Sequence, residues 1–130
     1  MPLSYRIDPE AGLVTVKGAG AVDLREAKRL LQEIPRDRAL RPGMSVLVDL
    51  TAIEWSPTPQ DMRTLVGWLP QLAAPYAGAI AVVVRTSFHF GMARMAAILA
   101  GPKNIEVSAY MDMAEAEAYV RRRPSAAKVS

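Results

Sequence analysis

The stretch RTSFHFGMARM, Arg85 to Met95, gathers the side chains of this chain best suited to chemistry. It holds the only histidine, His89, both phenylalanines, Phe88 and Phe90, and two of the seven methionines, Met92 and Met95. Arg85, Thr86, Ser87 and His89 are types that bind an anion where a helix start leaves backbone N–H groups unpaired. His89 could instead move a proton. A nucleophilic Ser87–His89 pair is not expected, because residues two apart on a helix start face different ways and no third group orients them. Phe88, Met92, Met95 and Leu99 recur on one helical face, which suits a packed core. The alternative is an apolar pocket at Thr86, Ser87, Phe88, His89, Phe90, Met92 and Met95, since methionine adapts to irregular shapes.

A second cluster lies in DLTAIEWSPT, residues 49–58. Asp49, near the end of a buried strand, is expected to accept backbone N–H bonds in the turn that follows. Thr58, Pro59 and Asp61 have the order of an N-cap, a first helical proline and a capping acid. Trp55 could anchor a partner protein or cover the end of the sheet. Trp55, Ser56 and Thr58 thus form the candidate partner-binding or phosphoacceptor region.

Composition removes several classes of function. The chain has no cysteine, hence no thiol nucleophile and no thiolate metal site, and one histidine cannot build a multi-histidine centre. No metal and no cofactor are expected, for no G-x-G-x-x-G follows a strand and no Walker sequence, H-E-x-x-H or G-x-S-x-G occurs. The net charge is +3. Its densest basic segment, Arg25 to Arg41, is interleaved with Asp23, Glu26, Glu33 and Asp37, a solvated face and not a nucleic-acid surface. The apolar run near Ala77 to Val84 falls well short of the roughly 20 residues of a spanning helix. MPLSYRIDPE lacks the pattern of a signal peptide, so a cytoplasmic location is expected.

Positioning these residues requires an alternating chain. YRI and LVTVKG flank DPEAG and read as an antiparallel hairpin over residues 4–18. Asp23 and Glu26 have capping-box spacing before the stripe Leu24, Ala27, Leu30, Leu31 and Ile34, which Pro35 ends. SVLVDL is a strand covered on both faces. The second helix carries Met62, Leu65, Val66, Leu69 and Leu72, with a break expected at Pro70. AIAVVV is the next strand, Ser87 is the expected cap of the third helix, and Gly101-Pro102 stops it. IEVSAYM is the last strand, and Asp112 with Glu115 opens a fourth helix. The order implies one α/β domain over residues 1–123: a mixed, mainly parallel five-stranded sheet with an N-terminal antiparallel hairpin and about four helices. Residues 124–130 read as a disordered tail. The hairpin leaves an exposed edge strand that invites homodimerisation.

That order, with YRIDPEAGLVTVKGAG, the strand ending VDLT and FGMARM opening the third helix, resembles the SpoIIAA-like proteins of the STAS and CRAL-TRIO-like group over approximately residues 4–121. The resemblance implies a STAS-like fold and a non-enzymatic module that binds protein partners. In anti-sigma-factor antagonists of that group a serine in an Asp-Ser-Ser-Gly turn is phosphorylated by the partner kinase. Here an ungapped match puts Thr58 at the phosphoacceptor, Pro57 in place of the acid and Gln60 in place of the glycine. The function expected from the resemblance is therefore binding of a partner protein through the second helix and the EWSPT loop. The alternative is a carrier or sensor of a small apolar or lipid-like ligand beside the third helix, and an enzyme using Asp49 or His89 ranks last.

Overall fold

A computed structural model describes residues 2–73 and 79–122, with the side chains of residues 72, 73 and 122 left out of account. The tail at 124–130 lies outside the described residues. β1 (Leu3–Asp8) and β2 (Leu13–Ala21) form the hairpin, antiparallel from Leu3 opposite Gly18 to Asp8 opposite Leu13. Its turn is closed by the Gly12 N–H donating to the Pro9 carbonyl and by the Asp8 carboxylate accepting from the Ala11 N–H. Gly12 has φ +66°, a conformation that side chains with a Cβ resist.

β3 (Ser45–Glu54), β4 (Ile80–Val83) and β5 (Val107–Tyr110) add in parallel, so the sheet order is β1-β2-β3-β4-β5. The mixed five-stranded sheet is as expected, with one difference of length. β3 continues five residues past Asp49, because it carries one extra residue between Asp49 and Ala52, opposite Lys17 to Ala19 of β2, and then pairs Ala52, Ile53 and Glu54 with Ala19, Gly20 and Ala21. At the bulge the chain needs a glycine: a Cβ on Gly18 would lie 2.9 Å from side-chain atoms of both Leu3 and Ile53. Asp49 therefore lies within the strand and not at its end, and its Oδ1 accepts from the backbone N–H and the hydroxyl of Thr51.

α1 (Leu24–Glu33), α2 (Pro59–Trp68), the one-turn α3 (Pro70–Ala73) and α4 (Ser87–Ala100) pack on one face, and α5 (Met113–Arg122) packs on the other. Strand alternation sorts the core accordingly. Val14, Val16, Val46 and Ile80 face α1, α2 and α4, whereas Leu47, Ala81 and Val83 face Ala116 and Val120 of α5. Pro70 separates α2 from α3, as its missing N–H requires.

Three local details differ from expectation. Asp23 accepts the Glu26 N–H, but the Glu26 carboxylate turns to Arg29 at 3.1 Å instead of completing the box. That pairing holds the Glu26 carboxyl below its ordinary value. Thr86, not Ser87, caps α4, its hydroxyl accepting from the His89 N–H, and Ser87 is the first helical residue. Phe88 is half exposed and not part of the core, because α4 turns Ala93 and Ala100 inward.

Candidate functional site

The inward side chains of α4 are small. His89, Met92, Ala93 and Ala96 follow the i, i+3, i+4, i+7 spacing of one helix face, and all four line a cavity of about 180 Å³ between the sheet and the α1, α2, α4 layer. Alanine at 93 and 96 leaves open the space that larger side chains would occupy. The sheet supplies Val16, Val46, Val48, Leu50, Ile80, Val82 and Val107; α1 supplies Ala27, Leu30 and Leu31; α2 supplies Met62, Leu65 and Val66. Leu3 and Ile53, the two side chains nearest Gly18, are also on the wall.

The loop after β3 contributes a further side. Alternation along EWSPT turns Trp55 and Pro57 onto the cavity wall and leaves Ser56 and Thr58 exposed. His89 ties that loop to α4: its Nε2 lies 2.6 Å from the Trp55 carbonyl oxygen. A carbonyl only accepts, so Nε2 is the protonated nitrogen. The Phe88 ring packs on the outer side of His89, with centroids 5.6 Å apart. The two sequence segments thus meet through one hydrogen bond, 34 positions apart in the chain.

Of the side chains expected at an apolar pocket, His89 and Met92 are on its wall. Thr86 and Ser87 are exposed at the start of α4, Phe88 is exposed over His89, and Phe90 and Met95 are half-buried without lining the cavity. Trp55 belongs to the wall, packed against the core, and does not project from the surface. Thr58 is exposed, but its hydroxyl accepts from the Asp61 N–H at 3.1 Å while the Asp61 carboxylate accepts from the Thr58 N–H at 2.9 Å.

The chemistry available here is narrow. Val48 and Leu50 face the cavity, so the alternation of β3 puts Asp49 on the opposite face of the sheet from His89. Those two groups cannot act together. Among the described residues no group of three or more acidic or histidine side chains could hold a metal ion, and no buried side-chain nitrogen or oxygen lacks a hydrogen-bond partner. The cavity therefore presents apolar surface with no unmet polar group. The strand order also runs in one direction across the sheet, without the reversal that opens a crevice at strand ends in doubly wound folds. The space lies between the sheet and the helices.

Sequence reasoning found the α4 start and the EWSPT loop but missed the walls contributed by α1, α2 and the sheet. Their residues read as core stripes, and the one signal of incomplete filling was the pair of alanines at 93 and 96.

An uncharacterized protein of the DUF3478 family from Shewanella loihica PV-4, described as having a SpoIIAA-like fold, is similar in structure over 91% of each chain, with a TM-score of 0.59. The chain has the SpoIIAA-like fold. Sequence identity to that protein is 12%, so the likeness carries the SpoIIAA-like fold and no residue roles. No protein-family model matches the sequence, and no curated protein matches it. The SpoIIAA-like fold places both helix-covered faces of the sheet as described, and among the described residues no helix is long and apolar enough to cross a membrane.

Proposed function

We propose that this protein is a non-enzymatic binding module whose ligand is a small, uncharged apolar molecule held between the sheet and α1, α2 and α4. The observation that carries the reading is the cavity of about 180 Å³ with apolar walls, where His89, the one polar wall residue among the described residues, is already bonded to Trp55. An apolar cavity of about 150 Å³ stays dry and binds benzene. The space here suits a molecule of that order, a single ring with a short substituent or a short branched chain, and not a complete lipid. A charged or strongly polar ligand would lose its hydration without gaining a partner.

Trp55 on the wall makes occupancy measurable. In a Trp68→Phe background, titration with toluene should change the emission of Trp55 and raise the melting temperature, with Trp55→Phe silencing the first signal and keeping the second. No melting shift with any small apolar probe would reject the reading.

A second reading, recognition of a partner protein, is favoured by one feature: Glu54, Ser56 and Thr58 are exposed on the loop whose Trp55 and Pro57 line the cavity. A ligand pressing on Trp55 would alter the surface that a partner meets. Glu54→Arg and Ser56→Arg should then remove a protein recovered by the wild type in pull-downs, and recoveries unchanged by both would exclude the loop.

A further inference from the structure

The three large apolar side chains exposed among the described residues are Phe88, Ile98 and Met111, at 50%, 73% and 51%. Two are on α4, the helix whose opposite face walls the cavity. At 100° per residue, Phe88, Ile98 and Arg94 fall within one outward arc of about a third of a turn. Met111 joins them at one end, since the Val84 N–H donates to the Tyr110 carbonyl and so sets the residue after β5 beside the approach to α4.

α4 and the turns directly before and after it, residues 85–105, carry cations and no carboxylate. Residues 62–105 contain no aspartate or glutamate, and Arg85, Arg94 and Lys103 are exposed and form no ion pair among the described residues. Elsewhere two cations sit beside carboxylates: Arg29 lies between Glu26 and Glu33, and Arg121 lies beside Glu117. Asp112, next to Met111, is turned to cap α5, accepting from the Ala114 N–H.

We propose that the outer face of α4 docks onto an anionic lipid bilayer, Phe88, Ile98 and Met111 entering the interface while Arg85, Arg94 and Lys103 meet the headgroups. Phe88 and Ile98 beside Arg94 on one helix face, with Arg85 and Lys103 just beyond the two ends of that helix, give the mixture of apolar and cationic side chains that an interfacial helix uses. The choice of a bilayer over an acidic protein rests on the proposed ligand class, because a small apolar molecule is stored in bilayers and α4 separates that reservoir from the cavity.

Co-sedimentation with vesicles of phosphatidylglycerol, against vesicles of phosphatidylcholine, tests this. Wild type should pellet with the anionic vesicles only and be released by high salt. Arg94→Glu and Ile98→Ser should each weaken binding by roughly fivefold or more while leaving the melting temperature unchanged, since both side chains are exposed. Failure to pellet with anionic vesicles overturns the proposal. So does binding that Arg94→Glu abolishes and Ile98→Ser leaves intact, which reduces the face to charge attraction of the kind an acidic protein would share. Ala96→Leu, altering only the inner face, should pellet like the wild type. A wild type that pellets but takes up no toluene would refute the cavity reading and leave docking standing.

Discussion

Replacing Ala96 by leucine tests whether the space behind α4 is empty in the free protein. An unfilled volume of 180 Å³ costs about 4 kcal/mol at about 24 cal/mol per Å³. Leucine adds three carbons, each contributing about 0.8 kcal/mol when buried, so the gain has a ceiling near 2.4 kcal/mol. Helix propensity barely changes the sum, because leucine follows alanine closely. Imperfect fit takes back part of the gain, and a net stabilisation of about 1–2 kcal/mol is expected. For a chain of this length that corresponds to a rise in melting temperature of roughly 4–7 °C. The assay is differential scanning calorimetry of the wild type and Ala96→Leu, each with and without toluene. Leucine should raise the melting temperature and shrink the further shift produced by toluene. If the space were already filled by neighbouring side chains, leucine would overpack the core and lower stability by about 1–3 kcal/mol. The two cases differ in sign, so a lower melting temperature for both Ala96→Leu and Ala93→Leu would refute the reasoning.

Four further outcomes are expected. Gly18→Ala should cost about 1–2 kcal/mol in urea unfolding, as its Cβ pushes Leu3 and Ile53 off their places on the wall; an unchanged midpoint would mean that they relax freely into the cavity. Thr58→Ala should cost about 1 kcal/mol by removing the α2 cap, with Thr58→Ser restoring most of it, and equal stability of all three would deny the cap its role. His89→Ala should free the Trp55 carbonyl and loosen its loop, read as a red-shifted Trp55 emission in a Trp68→Phe background, whereas an unaltered spectrum would show that packing alone holds the loop. Asp37 accepts from the Ala39 N–H and the Tyr5 hydroxyl, which hold its carboxyl below the ordinary 3.8. Its folded value is lower than its unfolded one, so its contribution is present above the ordinary carboxylate range and lost as pH falls through the folded value. Asp37→Asn should lower stability at neutral pH and lessen the loss between pH about 5 and 2, and parallel pH profiles would discount that role.

How legible each part was follows from the range of the forces involved. Thr58, Pro59 and Asp61 announced α2 because a cap depends on neighbours within one turn, and Pro70 broke the helix for an equally local reason. Glu26 was misjudged because Arg29 competes for its carboxylate from the same helix turn, with the same spacing in sequence as the cap. Ser87 and Thr86 both have hydroxyls, and only the start of the helix decides which one caps. β3 was judged too short because its last residues, TAIE, gain strand structure from β2 beyond a bulge, a distant contact. The cavity was least legible of all. Leu30, Val66 and Val82 would line a filled core or an open one with the same alternation, and the difference resides in the small side chains opposite them.

The unbroken order β1-β2-β3-β4-β5 bears on how the protein comes into being. Every strand pairs with the one made just before it, so the chain can fold as it leaves the ribosome, without waiting for a distant segment. The hairpin and β3 offer an edge that α1 and α2 shelter on one side, and β4 then extends it. Only when α4 folds back does the cavity acquire its alanine wall and the His89 link to Trp55. If the proposed ligand binds there, the completion of its site and the completion of the fold are the same step.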